Sequence, residues 1–111
     1  MESAQEGVGF NQLIEFVVNP AQQMGLVAAL TEQVERYTCT YPGFISASVQ
    51  VSSDGSRVLN QILWQTRHAS EEALLNAETN EQDFTAMLRQ HRVTAVTFKA
   101  YEVMRMIKAR S

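Results

Sequence analysis

An asparagine, Asn60, lies four residues before the single tryptophan of the chain, Trp64, in the apolar stretch VLNQILW. Side chains alternate between the two sides of a β-strand, so this spacing places the amide and the indole on the same side as Val58 and Ile62. Burying an amide without partners costs about 1–3 kcal/mol, so some group must form hydrogen bonds with Asn60. A bound molecule would make the pair a candidate site, whereas helix backbone or buried water would make it part of the core.

The neighbouring strand is predicted from a hairpin signal, Asp54-Gly55, which is flanked by two alternating runs of residues. With these two residues in the turn, the facing pairs on one side are Val51 with Val58, Val49 with Asn60, Ala47 with Ile62 and Ile45 with Trp64. That side is apolar or aromatic except at Asn60. The other side is mixed and carries Ser46, Ser48, Gln50, Leu59, Gln61 and Leu63.

A strand and a helix precede the hairpin. The run FNQLIEFVVN is rich in β-branched residues and predicts the strand. Asn19 and Pro20 then supply an N-cap and a proline at the first helical position. The predicted helix has an apolar stripe with spacings of three and four residues, formed by Met24, Val27, Leu30, Val34 and Tyr37.

A second helical region and a last strand follow the hairpin. The helical region begins at Thr66 or Ser70 and forms two short helices or one broken helix, with Asn80 and Asp83 resembling a cap. The run VTAVTFKAYEVMRMI predicts the closing strand. The order of elements predicts an α+β, ferredoxin-like βαββαβ fold whose four-stranded antiparallel sheet has its helices on one face.

This fold leaves one side of the sheet bare. The helices must cover the more apolar side, which carries Asn60 and Trp64. The mixed side, with Leu59, Gln61 and Leu63, would most simply be covered by a second copy of the chain, so we expect a homodimer.

Composition narrows the class of protein. The 111 residues suit one domain, predicted at 10–111 after a flexible segment at 1–9, and the net charge of −3 without a basic block argues against nucleic-acid binding. Cys39 is the single cysteine, which excludes an intrachain disulfide and suits a reducing, cytoplasmic location. Cys39, His68 and His91 are the chain's only Cys and His residues, which argues against a dedicated zinc or iron site. No apolar run reaches the roughly 20 residues of a membrane span.

The stretch YPGFISASVQVSSDGSRVLNQILWQTRHASEEAL resembles the antibiotic biosynthesis monooxygenase family. The shared features are a Pro-Gly-Phe at the start of the second strand, an Asp-Gly hairpin, and a tryptophan that ends the third strand. The resemblance covers the chain from Phe10 to Ile107. It implies a dimeric α/β barrel in which two sheets pack face to face, and a small pocket between sheet and helices in each subunit.

Within that family the anthrone oxygenases carry an asparagine four residues before the tryptophan, as this chain does at Asn60 and Trp64. The resemblance therefore implies a cofactor-independent monooxygenase that oxidises an aromatic, polyketide-type anthrone to a quinone with molecular oxygen, without metal, flavin or haem. It implies that both residues are catalytic and donate hydrogen bonds to a substrate oxygen that gains negative charge. Arg89, His91 and Tyr101 are reserve candidates for substrate binding.

Other functions stay open at this point. The main alternative is a non-catalytic dimeric barrel that binds a small ligand or serves as a structural partner. A haem-degrading branch of the fold uses an asparagine on the first strand, where this chain has Ile14, and a histidine on the second helix, whereas His91 lies late in the helical region. Further relatives process quinols or small signalling molecules.

Overall fold

The computed structural model describes residues 8–80 and 84–110. The strands are β1 (Gly9–Val17), β2 (Phe44–Val51), β3 (Arg57–Trp64) and β4 (Ala95–Val103), and the helices are α1 (Pro20–Arg36), α2 (Arg67–Asn80) and α3 (Phe84–Gln90). A short 3₁₀ turn at Thr38–Thr40 follows α1. Most of the predicted flexible segment, 1–7, and the predicted cap that involves Asp83 lie outside the described residues.

The four strands form one antiparallel sheet in the order β2-β3-β1-β4. This is the predicted ferredoxin-like arrangement, and the second helical region is two helices. The central strands β1 and β3 point their buried side chains to one side, in chain order Phe10, Ile14, Phe16, Val58, Asn60, Ile62 and Trp64. No helix of the described residues is both long and apolar enough to cross a membrane.

The hairpin register agrees with the prediction at three of its four pairs. Val49 faces Asn60, and the pairs at Ala47 and Val51 are also as predicted. The prediction that Ile45 faces Trp64 is wrong, because an irregularity between Phe44 and Ser46 places Phe44 opposite the tryptophan. A bulge adds one residue to one strand and so shifts its alternation. Ile45 is consequently 44% exposed.

The predicted apolar stripe of α1 is wrong only at its first member, Met24, because Leu30 is buried and Val27, Val34 and Tyr37 are half-buried. Met24 is 65% exposed, whereas Gln23, Leu26 and Leu30 are buried. The start of the helix is as predicted, since Asn19 accepts a hydrogen bond from the Ala21 amide at 2.9 Å. The hairpin loop packs against the first turn of the helix, and its carbonyls accept hydrogen bonds from the Gln23 amide, which accounts for the burial of this glutamine.

Two apolar clusters fill the space between sheet and helices. One consists of Ile14, Phe16, Val18, Leu26, Leu30 and Val58. The other consists of Phe10, Ile62, Trp64 and Ala73. They are held by different helices, α1 for the first and α2 for the second, and the space between them is the cavity described below.

Candidate functional site

A cavity of about 470 Å³ lies between the sheet and the three helices. This volume falls in the range of roughly 300–1,000 Å³ that is typical of small-molecule sites. Its walls are mainly apolar, and three of the lining aromatic rings form a row. The ring centroids of Phe16 and Phe84, and of Phe84 and Phe98, are each 6.2 Å apart. The cavity therefore offers an aromatic wall to a flat ligand.

Asn60 lines this cavity from the middle of β3 and is only 3% exposed. Its neighbours across the sheet are Ile14 on β1 and Val49 on β2, so both flanking side chains are apolar. The Asn60 Oδ1 atom is buried and accepts no hydrogen bond from the described residues. An acceptor left in this state costs about 1–3 kcal/mol.

Trp64 lines the same cavity from the end of β3 and is 2% exposed. Phe44 packs edge-on against its indole, with ring centroids 5.9 Å apart. The indole Nε1 donates a hydrogen bond to Oε1 of Gln12 on β1, at 3.0 Å. The indole hydrogen is therefore already bonded within the protein, and the packing holds the ring in one orientation.

The structure brings together Asn60 and Trp64 and separates them from the three reserve candidates. Arg89 is exposed in the last turn of α3. His91 lies just beyond that helix, in a groove between α1 and α3. Tyr101 is 53% exposed and pairs with Asn11 across the sheet, on the side away from the helices. None of these three side chains forms part of the cavity wall.

The sequence did not predict that several polar residues belong to the cavity wall, namely Gln12, Thr38, Tyr41 and Ser70. Gln12 had a detectable signal. It alternates with Phe10 and Ile14 along β1, which makes it an amide on an apolar side, like Asn60. Thr38 and Tyr41 lie in the connection after α1, where no periodicity indicates the direction of a side chain.

The polar groups of the wall are mostly neutral amides and hydroxyls, with the exposed Glu78 as an acidic member. Among residues 8–80 and 84–110, no three His, Cys, Asp or Glu side chains are grouped so that they could hold a metal ion. The wall can therefore offer hydrogen bonds to a ligand, together with apolar and aromatic contacts.

The clearest pKa shift belongs to Asp54, which lies outside this cavity in the hairpin loop. Hydrogen bonds from the side chain and backbone of Ser56, and from the Ser52 hydroxyl, lower the pKa of Asp54 to about 2. Asp54 is thus ionised over the pH range in which most proteins are stable. Its contacts order the turn that packs over α1.

Solved structures match this chain over nearly its whole length. A monooxygenase from the gene ActVA-Orf6 of Streptomyces coelicolor, in complex with nanaomycin D, has a TM-score of 0.73 and 25% identity, and the match covers 93% of this chain and 94% of that one. Other matching structures are candidate antibiotic biosynthesis monooxygenases. The chain has the fold of these monooxygenases. The resemblance predicted from the sequence is confirmed.

Two further matches show the same fold at lower identity. SnoaB, a cofactor-independent oxygenase from Streptomyces nogalater solved as a point mutant, has a TM-score of 0.65 and 14% identity, with 92% of this chain and 99% of that chain covered. A dimeric ferredoxin-like protein from an uncultured marine organism has a TM-score of 0.70 and 13% identity, with 89% and 97% covered. No family model and no curated protein matches the chain significantly in sequence.

Proposed function

We propose that this protein is a cofactor-independent monooxygenase that oxidises an anthrone-like, polyketide-type aromatic substrate to a quinone with molecular oxygen. The observation that carries the proposal is the buried pair Asn60 and Trp64 at the wall of one apolar cavity. The similar Streptomyces coelicolor monooxygenase, which was solved with nanaomycin D bound, supports a small-molecule site in this fold.

The proposed reaction converts a ring CH₂ group and O₂ into a ring C=O group and water. One oxygen atom enters the substrate, and the other leaves as water with the two hydrogens of the CH₂ group. Loss of the first proton produces an enolate, which is electron-rich enough to reduce oxygen directly. The protein must therefore bind the flat rings, exclude water and stabilise the enolate oxygen.

The residues of the cavity wall suit these tasks. The row of Phe16, Phe84 and Phe98 offers aromatic contacts to the rings. The Asn60 carboxamide combines an acceptor oxygen with a donor NH₂ group, so it matches a substrate edge on which a hydroxyl group lies next to a carbonyl group. A hydrogen bond to the enolate in such a dry site contributes about 3 kcal/mol to lowering the barrier.

Oxygen uptake with dithranol, a hydroxylated anthrone, tests this function. We expect wild-type protein to accelerate uptake and to form the corresponding quinone, danthron. Asn60→Ala should lower kcat by about 10²–10³-fold, the usual loss for one such donor. Trp64→Phe should also lower kcat, because it removes the indole N–H that bonds to Gln12 in the cavity wall. Gln65→Ala changes an exposed amide next to Trp64 and serves as the matched control. Equal rates for all four proteins at the uncatalysed background would remove the catalytic proposal.

A binding protein without catalysis is the second candidate. The buried Asn60 amide at the cavity wall favours it as much as it favours an enzyme, because an amide group can bind a ligand with or without a reaction. Danthron binding that Asn60→Ala weakens, together with background oxygen uptake, would identify this function.

We also propose that the protein is a homodimer that pairs through the open side of the sheet, around Leu59, Gln61 and Leu63. Both leucines are only partly buried within the chain. The dimeric ferredoxin-like protein of the same fold supports this arrangement.

Light scattering measures the assembly. We expect a mass of about 25 kDa, twice the 12.5 kDa of one chain. Leu63→Lys places a charge in the proposed interface and should give the single-chain mass. Met24→Lys makes a similar apolar-to-lysine change at an exposed position on α1, away from the open side of the sheet, and is the matched control. A wild-type mass of one chain at micromolar concentration contradicts the dimer.

A further inference from the structure

We propose that Gln12 is the residue whose NH₂ group donates to the substrate oxygen, and that Trp64 positions Gln12 for this task. The inference rests on the proposed function and assigns a donor that the resemblance to the family does not name. It also changes the role of the indole, which then acts through Gln12 and not by a bond of its own to the substrate.

The sheet register places Gln12 between the two residues predicted from the sequence. Gln12 pairs with Ile62, which stands between Asn60 and Trp64 on the same side of β3. Diagonal neighbours on paired strands are roughly 7–8 Å apart, within reach of long side chains. All three polar side chains line the cavity, so they form one polar strip on the sheet side of its wall, where the other lining residues are apolar.

The hydrogen bond to the indole determines which end of the Gln12 amide is available. Its Oε1 atom accepts from Trp64 Nε1 at 3.0 Å, so the NH₂ group is the end that can donate to a ligand. The indole is 2% exposed and packed against Phe44, and it has a single N–H. It therefore keeps Gln12 in place instead of donating to the substrate.

This arrangement prepares the donor before the substrate binds. A glutamine that is free to rotate loses side-chain entropy when it forms a bond, and the bond to Trp64 has already restricted this one. The indole N–H also polarises the amide and makes its NH₂ group a stronger donor. A donor held in advance is the kind that stabilises a charge that develops during the reaction.

Two substitutions separate positioning from donation. Gln12→Glu retains an acceptor for the indole but loses the NH₂ donor, whereas Gln12→Met loses both. Gln65→Glu makes the same amide-to-acid change at an exposed position and is the control. Trp64 is the only tryptophan, so its fluorescence reports the indole environment and the binding of danthron.

At neutral pH we expect Gln12→Glu to leave the Trp64 emission maximum unchanged while kcat for dithranol falls about 10²-fold or more. Gln12→Met should show a similar loss together with an altered emission maximum. Trp64→Phe combined with Gln12→Met should be no slower than Gln12→Met alone, since the indole acts through the glutamine.

The pH dependence of kcat in Gln12→Glu distinguishes a donor from a purely structural residue, because a structural role predicts no recovery of kcat at low pH. Burial raises the pKa of a carboxyl group, and a protonated glutamic acid offers both an acceptor and an O–H donor. The kcat of Gln12→Glu, divided by that of wild type at the same pH, should therefore rise as pH falls. The acidic Glu78 is common to both proteins and cancels in this ratio.

The proposal would be overturned if Gln12→Glu had the kcat and the danthron Kd of wild type at neutral pH. It would also be overturned if the ratio of the two kcat values did not change with pH. If Gln12→Glu fails to fold, an unchanged Kd in Gln12→Met would overturn it. If wild type does not turn over dithranol, the proposed function fails, and the danthron Kd values still decide whether Gln12 binds the ligand.

Discussion

Replacing Asn60 with leucine should stabilise the protein while it abolishes activity. Asn60 is 3% exposed, its Oδ1 atom accepts no hydrogen bond from the described residues, and its neighbours Ile14 and Val49 are apolar. A leucine of similar size removes the unsatisfied acceptor and adds apolar contact. In an ordinary core position the loss of a buried asparagine would instead break its hydrogen bonds and destabilise the fold.

The magnitude follows from the cost of that one atom. An unsatisfied buried acceptor costs about 1–3 kcal/mol, so Asn60→Leu should gain about that amount in the free energy of unfolding. For a domain of this size, each kcal/mol corresponds to roughly 4–8 °C in the melting temperature. The same substitution should lower kcat for dithranol by about 10²–10³-fold, because the amide is lost from the site.

Urea denaturation followed by circular dichroism measures the change, provided that the slope of the transition is the same in both proteins. Gln65→Leu is the matched control. Gln65 is an exposed amide just after β3, so its substitution relieves no buried unsatisfied group. If Asn60→Leu lowers the stability by more than about 1 kcal/mol, the asparagine is a structural residue and the reasoning about the site is wrong.

Three further predictions concern the elements that position the cavity. Gly43→Ala should destabilise the protein by about 1–3 kcal/mol in thermal denaturation, because Gly43 has a φ of +86° and an added Cβ would collide with Ala69 of α2; an unchanged melting temperature would contradict this. The pKa of Asp54 falls from 3.8 to about 2 on folding, so its stabilising contribution is complete above about pH 4 and is lost as pH falls toward 2; the difference in stability between wild type and Asp54→Asn should shrink over that range, and a constant difference would refute the assignment. Gln23→Ala should cost about 2 kcal/mol in urea denaturation, because two loop carbonyls lose their donor; a change below about 0.5 kcal/mol would show that water replaces the amide.

Three of the four facing pairs of the hairpin, and the shared side of Asn60 and Trp64, could be predicted because they depend on local rules. A strand alternates its side chains, and Asp54-Gly55 supplies the turn. The start of α1 at Asn19-Pro20 was equally local. The buried residue of its first turns was not, since Met24 and Leu26 are both good apolar helix residues and it is Leu26 that packs into the core.

The sequence by itself determined that an amide and an indole stand on one apolar side of a strand, because their spacing alone decides this. Only the tertiary structure decided that Gln12 lies between them and accepts the indole hydrogen, since β1 and β3 are distant in sequence and meet through the pairing of the sheet. The pairing of β1 with β4 places Tyr101 on the side away from the cavity. Contacts across strands depend on register between distant segments, and the alternation within one segment fixes the side of each residue but not its partner on the other strand.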